Sequence, residues 1–281
     1  MSRKTKMVLA VLVLAGALFT LIVVAFPPAP QRLVIGYAEE PPYAFALENG
    51  TVTGESPEVA KAIAARLGIT NVEWRLVEFG DLIDELEAGS IDLVAAGMFI
   101  TPERAGRVAF SEPTFHVRPG LLVARGNPAD LHAYADVIAR SRVRTAALHG
   151  SVEEELLRRM GLAEGRLFLV PDALTGRVAV ESGLAQCLAL SLPTLRWMEQ
   201  RDVEGKIEVA RPFAVPDDPA IQRLGYGGFA FRRNDRERLR AWNAELSEYI
   251  GSREHLELVS GFGFTAEDLP GSMTTREVLA Q

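Results

Sequence analysis

Apolar and polar positions along this chain fall in blocks, and the period changes from block to block. "RLVIGYA" (32–38) and "VEWRLVE" (72–78) read as strands. Between them "SPEVAKAIAARLGI" (56–69) puts Val59, Ile63 and Leu67 on one face of a helix, with Ser56 as N-cap, Pro57 in the first turn and Gly68 as the stop. "GDLIDELEAG" (80–89) predicts another helix, and "IDLVAAGMF" (91–99) a buried strand. A second series follows: strand "LLVARGNP" (121–128), strand "VRTAALHG" (143–150), helix "SVEEELLRRMG" (151–161), strand "LFLV" (167–170), helix "DALTGRVAVESG" (172–183) and strand "AQCLALSL" (185–192). "DDPAIQRLGYGGFAFRR" (217–233) enters one more strand, and two helices close the chain at 234–252 and 254–263. Strands alternating with helices of this length predict an α/β protein with parallel sheets covered on both faces.

Grouping these elements predicts two lobes. Residues 31–124 and 223–281 form the first and 125–222 the second, with crossings near 125 and 220. Ligands of open α/β sheets bind beyond the carboxyl ends of strands, so such lobes enclose a cleft between them, with a hinge that closes on the ligand. The glycines of "GYGGF" (225–229) head into a strand and read as tight packing at the second crossing.

The N-terminus adds an address. "MSRKTK" is basic, and "MVLAVLVLAGALFTLIVVAF" (7–26) is uncharged and long enough to span a bilayer as a transmembrane helix. Signal peptide and uncleaved membrane anchor are both open readings, with "PPAP" (27–30) as a stiff linker. Both place the rest of the chain in the periplasm or on the outer face of the cytoplasmic membrane. The 281-residue chain has a formal charge of -7. Because the first 30 residues carry only basic side chains, the body is more acidic still, which argues against nucleic acid. Cys187 is the single cysteine, so no disulfide can form within the chain. His116, His132, His149 and His255 sit at no metal-ligand spacing, and there is no phosphate loop, dinucleotide fingerprint or nucleophile elbow. The sequence therefore calls for no cofactor and no metal, and it offers Glu40 no catalytic partner that would make the chain an enzyme.

The chemistry gathers where strands end. "YAEEPPYAF" (37–45), "EFG" (78–80), "GMFITPER" (97–104) and "HGSVEEE" (149–155) fall on one rim of the predicted topology. That rim holds Glu39 or Glu40, Tyr43, Phe79, Phe99, Thr101 and Arg104, and opposite them Gly150 and Ser151 with backbone N–H groups at a helix N-terminus. Arg104 is the odd residue. Thr101 suits the N-cap and Pro102 the first helical position, which puts a guanidinium where the helix favours acids. Arginine and amides suit a carboxylate, while an acid and ring faces suit a delocalised cation, so the cleft fits a small zwitterion.

These same residues carry a family resemblance. "LVIGYAEEPPYAF", "GESPEVA", Leu86-x-x-Gly89-x-x-Asp92, "TPER" and "FSEP" resemble the polar amino-acid-binding subunits (family 3) of bacterial ABC importers over residues 32–270, densest in the first lobe. "GESPEVA", "EFGDLI" and "AAGMFITPER" look most like the ectoine and hydroxyectoine binders. The resemblance implies a two-lobed periplasmic-binding-protein fold of type II, a monomer that delivers its ligand to permease subunits. It also implies roles: Arg104 grips the ligand carboxylate, Glu40 contacts a cationic ring, Tyr43, Phe79 and Phe99 enclose it, and Gly150 and Ser151 supply backbone donors. The chain departs from the pattern at "GLAQ" (183–186), at "HGSVEEE", which lacks a second Thr, and at Ser191, where an Asp often holds an α-ammonium. Ser191 argues for a cyclic solute such as ectoine over the alternative, a polar or cationic amino acid.

Overall fold

The run that starts at Leu33 is buried on both of its faces. Leu33 and Ile35 pack with Val59, Ile63, Trp242 and Leu246 on one side, and Val34 packs with Leu82, Leu86 and Ile91 on the other. Alternate side chains of a strand point to opposite faces, so this run needs helices on both. They come from Glu55–Arg66 and Arg236–Tyr249 on one face and Leu82–Ala88 on the other. The structure, a computed structural model, describes residues 32–215 and 224–280.

Two five-stranded sheets organise the chain. In chain order the strands are β1 (Arg32–Tyr37), β2 (Phe45–Ala46), β3 (Val52–Thr53), β4 (Asn71–Leu76), β5 (Leu93–Val94), β6 (Ala109–Phe110) and β7 (Phe115–His116). They continue with β8 (Pro119–Ala124), β9 (Thr145–Leu148), β10 (Leu167–Val170), β11 (Cys187–Ser191), β12 (Ile207–Val209), β13 (Tyr226–Gly227) and β14 (Ala230–Phe231). The first sheet runs β4-β1-β5-β14-β6 and the second β10-β9-β11-β8-β12. This is the two-lobed α/β architecture, but the sheets are mixed and not purely parallel. β14 is antiparallel to β5 and β6, and β8 is antiparallel to β11 and β12. The strand expected to close the first lobe, Pro119–Ala124, instead hydrogen-bonds into the second sheet.

The chain passes between the sheets twice, and the two passages pair. β13 runs antiparallel to β7, and Val117 N–H donates to Gly225 O at 3.0 Å and Thr114 N–H to Gly227 O at 2.8 Å. The glycines make this approach possible. A Cβ on Gly225 would lie 1.9 Å from Val117 O, and one on Gly227 2.1 Å from the Phe115 ring. The expected tight packing of "GYGGF" is what these residues do. "DDPAIQR" (217–223) lies outside the described residues.

Local signals act mostly as expected. Thr101 Oγ1 accepts from Arg104 N–H at 3.2 Å, with Pro102 opening the helix Pro102–Arg107. Ser151 caps Val152–Arg159 by accepting from Glu154 N–H at 3.2 Å. Gly89 ends Leu82–Ala88 in the left-handed region, φ 79°. Ser56 differs: the helix already starts at Glu55, after Gly54, and Ser56 is not its cap. Its hydroxyl donates to Glu55 Oε2 at 2.6 Å and accepts from Gly97 N–H at 3.1 Å, tying the helix to the loop after β5. The reading of a transmembrane helix is corrected. Among the described residues no helix is long and apolar enough to cross a membrane, and the 7–26 segment that suggested one lies outside them.

Asp92 shows why the Leu86-x-x-Gly89-x-x-Asp92 spacing is useful. Leu86 fills the core, Gly89 turns the chain, and Asp92 reaches back into the sheet. There it accepts Val34 N–H at 3.0 Å and Arg232 Nη2–H at 2.8 Å, joining β1 to the returning segment. Removing it strands both donors in a half-buried place. Asp92→Ala is expected to lower stability by about 2 kcal/mol, measured by urea denaturation. An unchanged midpoint would show that water replaces the carboxylate freely.

Candidate functional site

The site lies between the lobes and is built around Arg104. The helix Pro102–Arg107 sends this side chain inward, where it is buried. Nη1 donates to Phe99 O at 2.9 Å and Nη2 to Gly150 O at 2.8 Å, with the guanidinium 5.5 Å from the centre of the Phe79 ring. Phe99 belongs to the first lobe's segment and Gly150 to the loop after β9 in the second. One side chain therefore bonds across the cleft. Burial pushes the Arg104 pKa down, and Glu155, Glu153, Glu103 and Glu40 oppose that shift.

Glu40 enters the same space from the loop after β1. Its Oε1 accepts from Thr194 Oγ1 at 3.0 Å, a second polar link between lobes. Glu39 does not share the site, because its Oε1 accepts from Ala46 N–H at 2.9 Å. Gly80 and Gly150 add a close backbone approach: a Cβ on Gly150 would stand 2.7 Å from Gly80 Cα. Phe45 also meets Trp197, centroids 5.6 Å apart. With the lobes this near, the cavity around Arg104 measures about 20 Å³, about the room of one water molecule.

Six of the residues singled out in the sequence line that cavity: Glu40, Phe79, Phe99, Arg104, Ser151 and Ser191. Three do not. Tyr43 packs its ring in the core, 5.1 Å from Phe115 and 5.4 Å from Phe264, with its hydroxyl end behind the cavity wall near Ser191, Glu40 and Glu153. Thr101 serves as the cap that holds the Arg104 helix. Gly150 meets Arg104 through its carbonyl. The expected backbone donors of the second lobe are already engaged, Gly150 N–H by Glu154 Oε2 at 2.7 Å and Ser151 N–H by Leu148 O at 3.0 Å. Ser191 sits at the end of β11, where its Oγ lies 3.4 Å from Thr194 Oγ1.

The sequence reading missed Glu153. It stands in the first turn of Val152–Arg159, is only 4% exposed and lines the cavity with Glu40. Helical spacing held the signal: Val152 and Leu156 face inward, and Glu153 shares their side of the helix. Burial pushes the Glu153 carboxyl up to about 7. Burial and the charge of Glu153 push Glu40 up to about 8, against the lowering effects of Thr194 and Arg104.

With the geometry in place, comparison with known proteins identifies the lineage. The model of bacterial extracellular solute-binding proteins, family 3, matches residues 33–263. The chain belongs to this family. It is a family of non-catalytic transport receptors that work outside the cytoplasm. A probable amino-acid ABC transporter periplasmic-binding protein of Sinorhizobium fredii, y4tE, is 31% identical over 251 residues, covering 88% of this chain and 82% of the relative. Among solved structures, EhuB in complex with hydroxyectoine superposes with a TM-score of 0.80 at 29% identity, over 89% of this chain and 95% of that one. An ancestral arginine-binding protein bound to arginine has the same fold, with a TM-score of 0.72 at 24% identity over 83% and 99%.

The buried acids make stability depend on pH. Glu40 and Glu153 titrate above the 4.5 of an ordinary Glu, at about 8 and about 7. The folded chain thus binds their protons more tightly than the unfolded chain does. That stabilisation is complete below the unfolded value and is lost as pH rises through the folded ones. The melting temperature of the ligand-free protein is expected to fall between about pH 5 and about pH 8, with a shallower slope in Glu40→Gln. Parallel slopes for the two proteins in differential scanning fluorimetry would contradict this assignment.

Proposed function

We propose that this receptor holds a small zwitterionic solute between its lobes and delivers it to ABC permease subunits. We assign 32–116 and 227–280 to the first lobe and 119–215 to the second. The observation that carries the reading is the opposition of Arg104 to Glu40 in one buried cavity. Arg104 uses two guanidinium N–H groups on carbonyls. Three of the five remain for a ligand carboxylate. Glu40 and the faces of Phe79 and Phe99 suit the cationic end.

The favoured ligand is a polar or cationic amino acid. Ser191 cannot hold an ammonium by charge, which spoke against this class, but Glu153 brings a carboxylate to the same cavity. The naming of the Sinorhizobium relative points the same way. A second reading, ectoine or hydroxyectoine, draws on the hydroxyectoine complex of EhuB and on the Glu40, Phe79 and Phe99 set.

A thermal-shift panel of amino acids and compatible solutes separates the two, since a ligand raises the melting temperature by mass action. Amino acids are expected to give the larger shifts; stabilisation by ectoine alone would select the second reading. Arg104→Ala should weaken binding of any carboxylate ligand by about 30-fold or more, read by calorimetry. Retained affinity in that variant would remove Arg104 from the site.

A further inference from the structure

Phe45 and Trp197 belong to no core, yet neither ring is left fully in water. Both are half-buried and stand outside the apolar clusters that fill the lobes. Phe45 sits in the short hairpin of β2 and β3, in the first lobe, and Trp197 on the helix Leu192–Gln200 of the second. Their ring centres are 5.6 Å apart. Each ring is backed within its own lobe. Phe262 stands edge-on to Phe45 at 6.4 Å, and the Arg201 guanidinium lies 3.2 Å from the centre of the Trp197 ring. The four side chains form a row that crosses from lobe to lobe.

Neither Phe45 nor Trp197 lines the Arg104 cavity, but the segments that carry them reach it. Thr194, one turn before Trp197 on the same helix, donates to Glu40 at 3.0 Å. Glu40 N–H donates to Ala44 O at 2.8 Å, which ties the cavity loop to the start of β2. Leu192 N–H donates to Arg118 O at 2.7 Å, which fixes the helix to the chain leaving the first crossing. Parting the lobes would wet the facing sides of both rings and leave the contacts with Phe262 and Arg201 intact. The pair therefore favours closure whatever the cavity holds. A solute enclosed by both walls binds with an affinity that scales with the closed fraction.

We propose that Phe45 and Trp197 form a clasp outside the cavity that draws the lobes together without help from a solute, and so raises affinity for every solute by one factor. They are positioning residues. In the receptor reading above, Arg104 and Glu40 choose the solute, and the clasp sets how often their two walls meet.

The test is the distance between spin labels on Leu174→Cys and Arg253→Cys, exposed positions in opposite lobes of the full chain, measured by double electron–electron resonance without added solute. The native Cys187 is buried. Phe45→Ala and Trp197→Ala should each lower the ratio of closed to open molecules by about tenfold. The double variant should fall little further, because both singles break the same contact. Phe45→Tyr should keep the ratio. An unchanged ratio in Phe45→Ala, or a wild type without a closed component, overturns the clasp. Calorimetry with L-arginine, L-glutamine and ectoine gives a second readout: Phe45→Ala should weaken every probe that binds by a common factor. Unequal factors would put Phe45 in contact with the solute and also overturn it. Binding of none of the three by the wild type counts against the proposed ligands, and the distances still decide the clasp.

Discussion

The arrangement of this molecule depends on keeping one guanidinium out of water. Arg104 carries its charge into the space between two lobes, and its hydration is replaced by the Phe99 and Gly150 carbonyls and the Phe79 ring. Carbonyls satisfy N–H groups but leave a full positive charge without a counterion. Acids of Glu40, Glu103, Glu153 and Glu155 gather around it for that reason, none of them within ion-pair distance. Much of the local architecture serves this placement. Thr101 and Pro102 fix the start of the helix, and the loop after β9 turns its carbonyl toward the first lobe. The closeness of Gly80 and Gly150 lets the two sides reach the same side chain.

A site of this kind is tuned by imbalance. Buried charges that cancel within the protein would make an empty cleft comfortable and a ligand superfluous. Here the partners are close enough to feel one another, yet no ion pair joins them, and burial favours the protonated form of both acids. Burial raises the pKa values of Glu40 and Glu153 in the ligand-free state, and the nearby Arg104 only partly opposes that. In the proposed reading, a charged ligand group meeting these side chains would supply the partner that burial has denied them.

The sequence made the elements and one half of the site readable, and the reasons differ by residue. β1 and the helix after it announce themselves by period, because both faces of the strand and one face of the helix are buried. Thr101, Pro102, Gly89 and the glycines at 225–227 signal backbone geometry, which few other residues tolerate. Arg104, Glu40, Phe79 and Phe99 stood out because such residues at strand ends converge in an α/β sheet. The rest was hidden by choices made over long distance. That the Tyr43 ring packs in the core and leaves only its hydroxyl end near the site is decided by Phe115, Phe264 and Ser191, far along the chain. Gly150 presents its carbonyl to the cleft because Glu154 claims its N–H. β8 joins the second sheet because β11 and β12 supply its partners, which no local pattern at 119–124 records. Glu153 hid among neighbouring acids that are more exposed.

The two passages between the lobes are not independent tethers. β7 and β13 are hydrogen-bonded to each other, and the glycines bring their backbones into direct contact. A ribbon of this kind bends across its flat face at little cost. Sliding one lobe past the other along the strands would break the bonds of Val117 to Gly225 and of Thr114 to Gly227. Any relative motion that keeps these bonds must bend the ribbon as a pair. The paired ribbon thus holds the two lobes in the register at which the Gly150 carbonyl meets the Arg104 guanidinium.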